Sequence, residues 1–260
     1  MNFSDVSKPI LKFTGVIPAR MASERLPGKV LRPVCGKAMV HRVYDAARAC
    51  RQLNELWVAT DSEQVYDYCS RNQIPVLMTA ATHQSGTERI YEVMQNRPGD
   101  AYLNDVFLNI QGDEPMLRPE HVDLLIEPFL RDPATEVTTL KVRIEESEAQ
   151  NPNVVKVVTN AAGQALYFSR AAIPYHRDRA SPLPFYKHLG FYAYTRGALD
   201  RYQQLPPSVL EQTERLEQIR FLENGIPIHV AETVTDTIGV DTEEDLQTVA
   251  RYFEALERRG

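Results

Sequence analysis

From Phe13 onward the chain alternates short apolar runs with longer stretches whose apolar residues recur at helical spacing. That alternation predicts βαβ units and a mostly parallel central sheet flanked by helices, since a strand returning in the same direction needs a crossover. Phe13–Ile17 reads as the first strand, Met39–Ala49 as a helix, Glu55–Thr60 as a second strand and Glu63–Arg71 as a second helix. Pro75–Met78 is a short third strand candidate, followed by a helical stretch at Glu88–Gln95. Asp105–Ile110, dominated by Val, Phe, Leu and Ile, reads as a central strand that ends at Gln111-Gly112-Asp113.

Beyond Glu136 the pattern changes. The β-branched runs Val137–Val142 and Val154–Thr159 are separated by Asn-Pro and Asn-Ala-Ala-Gly turn signals, which predicts hairpins and added strands at about 136–195. Leu210–Asn224 reads as one helix stopped by Gly225, Pro227–Ala231 as a strand, and Glu243–Glu257 as a closing helix capped by Thr242. The expected organisation is a polar extension at 1–12 and a single α/β domain over 13–260 carrying the β-rich insertion.

Composition narrows the function classes. No apolar run approaches the roughly 20 residues of a membrane span, and Met1–Lys12 lacks the apolar centre of a secretory signal. A net charge of −6 argues against a general nucleic-acid surface. Cys35, Cys50 and Cys69 form no short-spaced metal pattern and leave an odd thiol, which suits a reducing compartment and a cytoplasmic location.

Open α/β sheets bind ligands beyond the C-terminal ends of their strands, so Pro18, Thr60-Asp61, Gln111-Gly112-Asp113 and Gly239-Val240-Asp241 are expected to gather. The first of these ends opens Pro18-Ala19-Arg20-Met21-Ala22-Ser23-Glu24-Arg25-Leu26-Pro27-Gly28-Lys29. Its arginine forks and compact lysine charge suit phosphate oxygens, although the loop alone reads equally as a solvated basic surface. It has neither the G-K-[ST] ending of a Walker loop nor the G-x-G-x-x-G spacing. Asp113 and Asp241 are hard oxygen donors of the kind that hold Mg²⁺ together with substrate phosphates, while each taken singly fits a turn or a helix start. Ala80 to Arg89 is a polar loop leading into a helix, with small residues, readable as a base or ribose contact or as a plain helix start capped by Ser85 or Thr87 with Arg89 facing solvent. His188, Tyr192 and Tyr194 lie in an aromatic strand, where sheet-face packing is the commoner role.

Taken together, the chain resembles the 3-deoxy-manno-octulosonate (Kdo) cytidylyltransferases from Phe13 to about Leu256. The resemblance rests on Ile17 to Arg20 with Ser23 and Arg25 to Lys29, on Ala59-Thr60-Asp61, His83 to Arg89 and Asn109 to Pro115. It continues in Asn153 to Val158 around Lys156, Ala165 to Arg170, His188-Leu189-Gly190, Leu216 to Arg220 and Gly239 to Leu246. It implies a nucleotide-diphospho-sugar transferase (glycosyltransferase-A-like) fold with a smaller β-rich dimerisation elaboration, and hence a homodimer. It further implies transfer of CMP from CTP to an acidic eight-carbon sugar, with Mg²⁺ held by Asp113 and Asp241. Arg20 and Lys29 would share the catalytic charge work, and Pro18, Ala19, Arg25, Thr60, Asp61, Ser85 and Gly86 would complete the nucleotide site. Gln111, Arg170, His188, Tyr192, Glu217 and Gln218 would form the sugar side. An 8-amino octulosonate, a sialic acid or a polyol phosphate as acceptor, and a non-catalytic nucleotide-binding role, are the competing readings.

Overall fold

The computed structural model describes residues 11–23, 25–83, 85–97, 105–177 and 184–258. The polar extension lies almost wholly outside these residues, as does part of the stretch between Arg170 and His188.

The first half is a run of crossover units. Strand β1 (Lys12–Pro18) leads through the basic loop to a small ribbon, β2 (Pro33–Val34) with β3 (Lys37–Ala38), and then to helix α1 (Met39–Arg48). Next come β4 (Glu55–Thr60), α2 (Glu63–Arg71), β5 (Val76–Met78), α3 (Gly86–Asn96), β6 (Asp105–Asn109) and α4 (Pro119–Arg131). The second half holds β7 (Val137–Ile144), a short α5 (Glu146–Ala149), β8 (Lys156–Thr159), β9 (Ala165–Ser169) and the long β10 (Phe185–Thr195). It closes with α6 (Arg196–Gln204), α7 (Val209–Glu214), α8 (Ile219–Glu223), β11 (Ile228–Thr233) and α9 (Glu243–Glu257).

The main sheet runs β11-β7-β10-β6-β1-β4-β5, with β8 beside β10 and β9 beside β8. Along that path β10 alone is antiparallel to its neighbours, so the sheet is mostly parallel. The segment 136–195 supplies β7 and β10 to the middle of the sheet and projects β8 and β9 from it.

Side chains alternate between two helix-covered faces, as the two-residue strand period requires. Ile17, Val106, Leu108, Phe191 and Ala193 pack with α1, α2 and α4 on one face. Val16, Phe107, Tyr192 and Tyr194 pack with α3, α6 and α8 on the other. Coverage of both faces explains why β6 is buried along its whole length, with apolar Val106, Phe107 and Leu108 between the buried polar ends Asp105 and Asn109. Leu246 and Val249 of α9 join Leu26, Val34 and Met39 in a third cluster, which anchors the basic loop from below.

Two expectations change. Leu210–Asn224 is two helices rather than one, because Arg215 adopts a left-handed conformation (φ 54°) and ends α7. The break puts Glu217 and Gln218 in a turn instead of on a helix face. Helices α4 and α6 form where the sequence pattern had assigned no element; α4 starts with Pro119 at its first position and contains Pro128.

Candidate active site

Beyond the C-terminal ends of β1 and β6 opens a cavity of about 700 Å³, bordered by the basic loop, the start of α3, the turn after β6 and the segment before α9. Tight backbone contact draws these elements together. Ala19 N donates to Ala59 O at 2.8 Å, and Val240 N donates to Asp113 O at 2.9 Å. A Cβ on Gly112 would stand 2.5 Å from the carbonyl oxygen of Pro18, so glycine is what lets the turn after β6 lie against the end of β1.

Pro18, Arg20, Arg25, Lys29, Ser85, Gly86, Gln111, Asp113 and Asp241 all line this cavity, joined by Ser23, His83 and Arg89. Arg20 stands exposed at its rim. Lys29 lies deepest among the loop cations, with its side chain 12 % exposed. Its ammonium donates to Asp113 Oδ2 at 2.5 Å, Asp241 Oδ1 at 2.9 Å and Val240 O at 3.0 Å. Burial pulls the Lys29 pKa down, but the two carboxylates more than offset this and hold it above the ordinary lysine value. Arg25 donates to the other oxygen of Asp241 at 2.8 Å.

Both aspartate side chains are spent on cations rather than on local backbone. Thr242, not Asp241, caps α9: its hydroxyl accepts from Asp245 N, while Asp245 Oδ2 accepts from the backbone N–H groups of Thr242 and Asp241. The neighbouring acids Asp113 and Glu114 part company. Asp113 faces the cavity, whereas Glu114 is half-buried and turns away from it to accept from Thr237 Oγ1 at 2.5 Å. Burial pushes the Glu114 carboxyl up to about 7, against the opposing pull of the Thr237 hydrogen bond.

Other expected residues act from behind the wall. Ala19 and Thr60 are fully buried, and Thr60 Oγ1 donates to Ala19 O at 2.6 Å, which fixes the start of the basic loop. Asp61 accepts from Arg89 at 2.9 Å, and Arg89 also donates to Thr79. Arg89 is thus a buried cation at the cavity wall rather than a solvent-facing helix residue. Ser85 caps α3, accepting from Glu88 N at 3.2 Å, and His83 is paired with Glu92, which also accepts from Ala80 N. These links tie the 79–85 segment to α3; nothing in the periodicity pointed to Glu92.

Arg170, His188, Tyr192, Glu217 and Gln218 do not border the cavity; they form a layer on β9, β10 and the turn before α8. Gln111 bridges the two regions by donating its side-chain amide to Gly190 O at 3.0 Å. His188 is buried and hydrogen-bonded to Thr139 at 3.0 Å, and burial lowers its pKa to about 3, so the ring is neutral at physiological pH. Arg170 donates to Glu214 O at 2.8 Å and Pro152 O at 3.1 Å. Lys156 is fully buried and spends its ammonium on the carbonyls of Asn151, Val154 and Arg170, which makes it a backbone staple beneath Arg170. Among the described residues, Glu217 Oε2 and Gln218 Nε2 are buried with no hydrogen-bond partner, while Tyr192 Oη and the Asn109 amide are buried with only loose polar contacts, to Thr139 and Tyr194. Burial raises the Glu217 pKa, against the opposing pull of hydrogen bonds from Ser85 and Thr87.

Among the described residues no three His, Cys, Asp or Glu side chains cluster as a metal cage. The Asp113 and Asp241 pair nevertheless fits Mg²⁺, which takes one or two carboxylates and completes its shell with water and substrate phosphates.

Comparison with known proteins decides the family. The cytidylyltransferase family model matches residues 14–234. The chain is 53 % identical to the 3-deoxy-manno-octulosonate cytidylyltransferase of Acidobacterium capsulatum, over 96 % of this chain and 98 % of that one. The chain belongs to this cytidylyltransferase family. The corresponding protein of Koribacter versatilis is 50 % identical over 92 % of this chain and 89 % of its own length. A solved structure of CMP:2-keto-3-deoxy-manno-octonic acid synthetase complexed with CTP matches with a TM-score of 0.88 at 43 % identity, covering 94 % of this chain and 99 % of that one. A Bacillus anthracis chain named as a glucose-1-phosphate thymidylyltransferase shares the fold at TM-score 0.64 and 16 % identity. The nucleotidyltransferase fold expected from the resemblance is therefore the fold of this cytidylyltransferase.

Proposed function

We propose that this cytidylyltransferase transfers CMP from CTP to the anomeric hydroxyl of 3-deoxy-manno-octulosonate and releases pyrophosphate. The observation that carries the reading is the convergence of Arg20, Arg25 and Lys29 with Asp113 and Asp241 on one cavity. Opposite charges facing one space suit a triphosphate with its metal, and relatives at 50 % identity and above bear the name of this activity.

In this reading Arg20, Arg25 and Lys29 grip the triphosphate, and Ser85 and Gly86 line the cytosine and ribose pocket. Asp113 and Asp241 would hold Mg²⁺, which, when bound, lowers the pKa of the attacking hydroxyl and neutralises charge on the phosphates. The chain needs no nucleophile of its own: the sugar oxygen attacks the α-phosphorus and loses its proton, while the bond to pyrophosphate breaks. What the residues supply is in-line positioning and charge neutralisation. On the acceptor side, Gln111 joins the nucleotide cavity to the layer holding Arg170, His188, Tyr192, Glu217 and Gln218. The buried polar atoms there that have no partner among the described residues match a ligand rich in hydroxyls, and Arg170 matches its carboxylate.

Among the described residues no helix is long and apolar enough to cross a membrane. The free thiols of Cys35, Cys50 and Cys69 support a reducing, cytoplasmic setting. The chain works as a homodimer in this reading, with Leu166 of β9 and the 88 % exposed Tyr175 offering apolar surface. Sedimentation equilibrium at micromolar concentration should give twice the 29.6 kDa chain mass, and a monomer there would remove the dimer.

The activity is tested by pyrophosphate release with CTP and UTP against an octulosonate, its 8-amino analogue and a sialic acid. The expected result is magnesium-dependent release with CTP and the octulosonate. Turnover with the 8-amino sugar instead would reassign the acceptor, and no turnover across the panel would remove the enzyme reading.

A further inference from the structure

Lys29 is more than a loop cation waiting for phosphate. An ammonium has three N–H donors, and here they meet three acceptors, Asp113 Oδ2, Asp241 Oδ1 and Val240 O, at 2.5–3.0 Å. With only 12 % of its side chain exposed, Lys29 fills the gap between the two aspartates. A Mg²⁺ held through these same two oxygens would lie about 2.0–2.1 Å from each, where the ammonium sits, and two cations could not share that position. Arg25 adds a second, more exposed latch on Asp241.

We propose that Lys29 is an internal counter-ion that occupies the divalent-metal position of the free enzyme, so that the metal enters together with the nucleoside triphosphate and not before it. The proposal rests on the assignment of Asp113 and Asp241 as metal ligands. Charge counting gives the reason. Lys29 and Arg25 together neutralise the two aspartates, so a divalent ion arriving alone adds positive charge to a balanced cluster. A triphosphate arriving with the ion brings more negative charge than the ion brings positive. Its oxygens take over Lys29 and Arg25 at the cavity they already line, and the aspartates are freed for the metal. Metal and nucleotide are then coupled through one side chain, and by linkage each tightens the other. The same contact keeps two carboxylates side by side in the free enzyme, where like charges would otherwise drive the turns apart.

The test measures Mn²⁺ binding by the electron paramagnetic resonance of the free ion, without nucleotide, on the wild type, Lys29→Met, Lys29→Gln and the double variant Lys29→Met/Asp113→Asn. Circular dichroism melting selects the folded variants, and the glutamine variant serves if the methionine variant does not fold. Removing the lysine charge should tighten Mn²⁺ binding at least about tenfold over wild type, within the usual range of coupling between sites. The double variant should lose that gain. In the wild type, water-proton relaxation enhancement by protein-bound Mn²⁺ should appear when CTP is added. Wild-type binding as tight as that of the Lys29 variants would overturn the counter-ion role while leaving the ligand assignment intact. A double variant that binds as well as Lys29→Met would instead overturn Asp113 as a ligand.

Discussion

Asp113→Asn and Asp241→Asn are each expected to lower the rate of pyrophosphate release by about 10³-fold or more while leaving the fold intact. A metal ligand contributes through several kcal/mol of charge stabilisation in the transition state, and about 4 kcal/mol corresponds to that factor. Asparagine keeps the shape and one acceptor oxygen but removes the charge. The scaffold around each residue has fastenings other than that charge. The two turns are joined by the backbone bond from Val240 to Asp113, and the start of α9 is fixed by the reciprocal Thr242 and Asp245 cap. Melting temperatures should therefore stay near wild type, and initial rates at saturating CTP and sugar should carry the effect. A variant retaining more than about a tenth of the wild-type rate would strike that residue from the metal site, since the loss would fall short of what a ligand supplies.

The placement of these aspartates was legible in the sequence for a topological reason. A parallel sheet delivers its strand ends to one edge, so acids or bases directly after apolar runs meet there whatever their distance along the chain. Pro18 and Asp113 follow that rule, and α9 runs over Glu243–Glu257 behind the Thr242 cap as its pattern predicts. Asp241 reaches the same edge by another route: Gly239-Val240-Asp241 ends no strand, since β11 stops at Thr233, and the Val240 N–H bonded to Asp113 O brings the segment before α9 to the site. Thr60 obeys the rule only in part: it reaches the same edge, but its side chain points inward to Ala19 O. Strand position tells where a residue is and not which way its side chain turns at the end of the pleat.

What stayed hidden has equally specific causes. Arg215 carries none of the Gly or Pro signals that mark a helix break, so the turn that holds Glu217 and Gln218 was invisible in a continuous helical pattern. Lys29 could be read as a phosphate ligand because its charge is a property of residue type. Its simultaneous hold on Asp113, Asp241 and Val240 is a property of three segments meeting, which no local window contains. Glu114 shows the same limit, as it sits next to Asp113 in the chain and yet turns away from the cavity to Thr237.

The largest effect on stability is expected at the opposite end of the sheet. Arg97, with its side chain 1 % exposed, donates to the fully buried Asp105 at the start of β6. It also donates to Glu55 of β4 at 2.7 Å and Thr14 of β1 at 3.1 Å, and its guanidinium lies 5.1 Å above the ring of Phe107. Burial would raise the Glu55 carboxyl, but Lys12 and Arg97 outweigh it and hold the group below the usual range. One arginine thus ties three adjacent strands together on the side away from the cavity. Removing one partner of such a pair leaves the remaining buried charge poorly compensated, which costs about 3–5 kcal/mol. Arg97→Met and Asp105→Leu should each lose about that much in urea unfolding, with kcat unchanged for the folded fraction because the cluster touches no residue of the cavity. Combining the two substitutions should recover most of the loss, since an apolar pair of similar volume carries no desolvation penalty. Additive losses in the double variant would mean that packing against Phe107, rather than charge pairing, is what holds this end of the sheet.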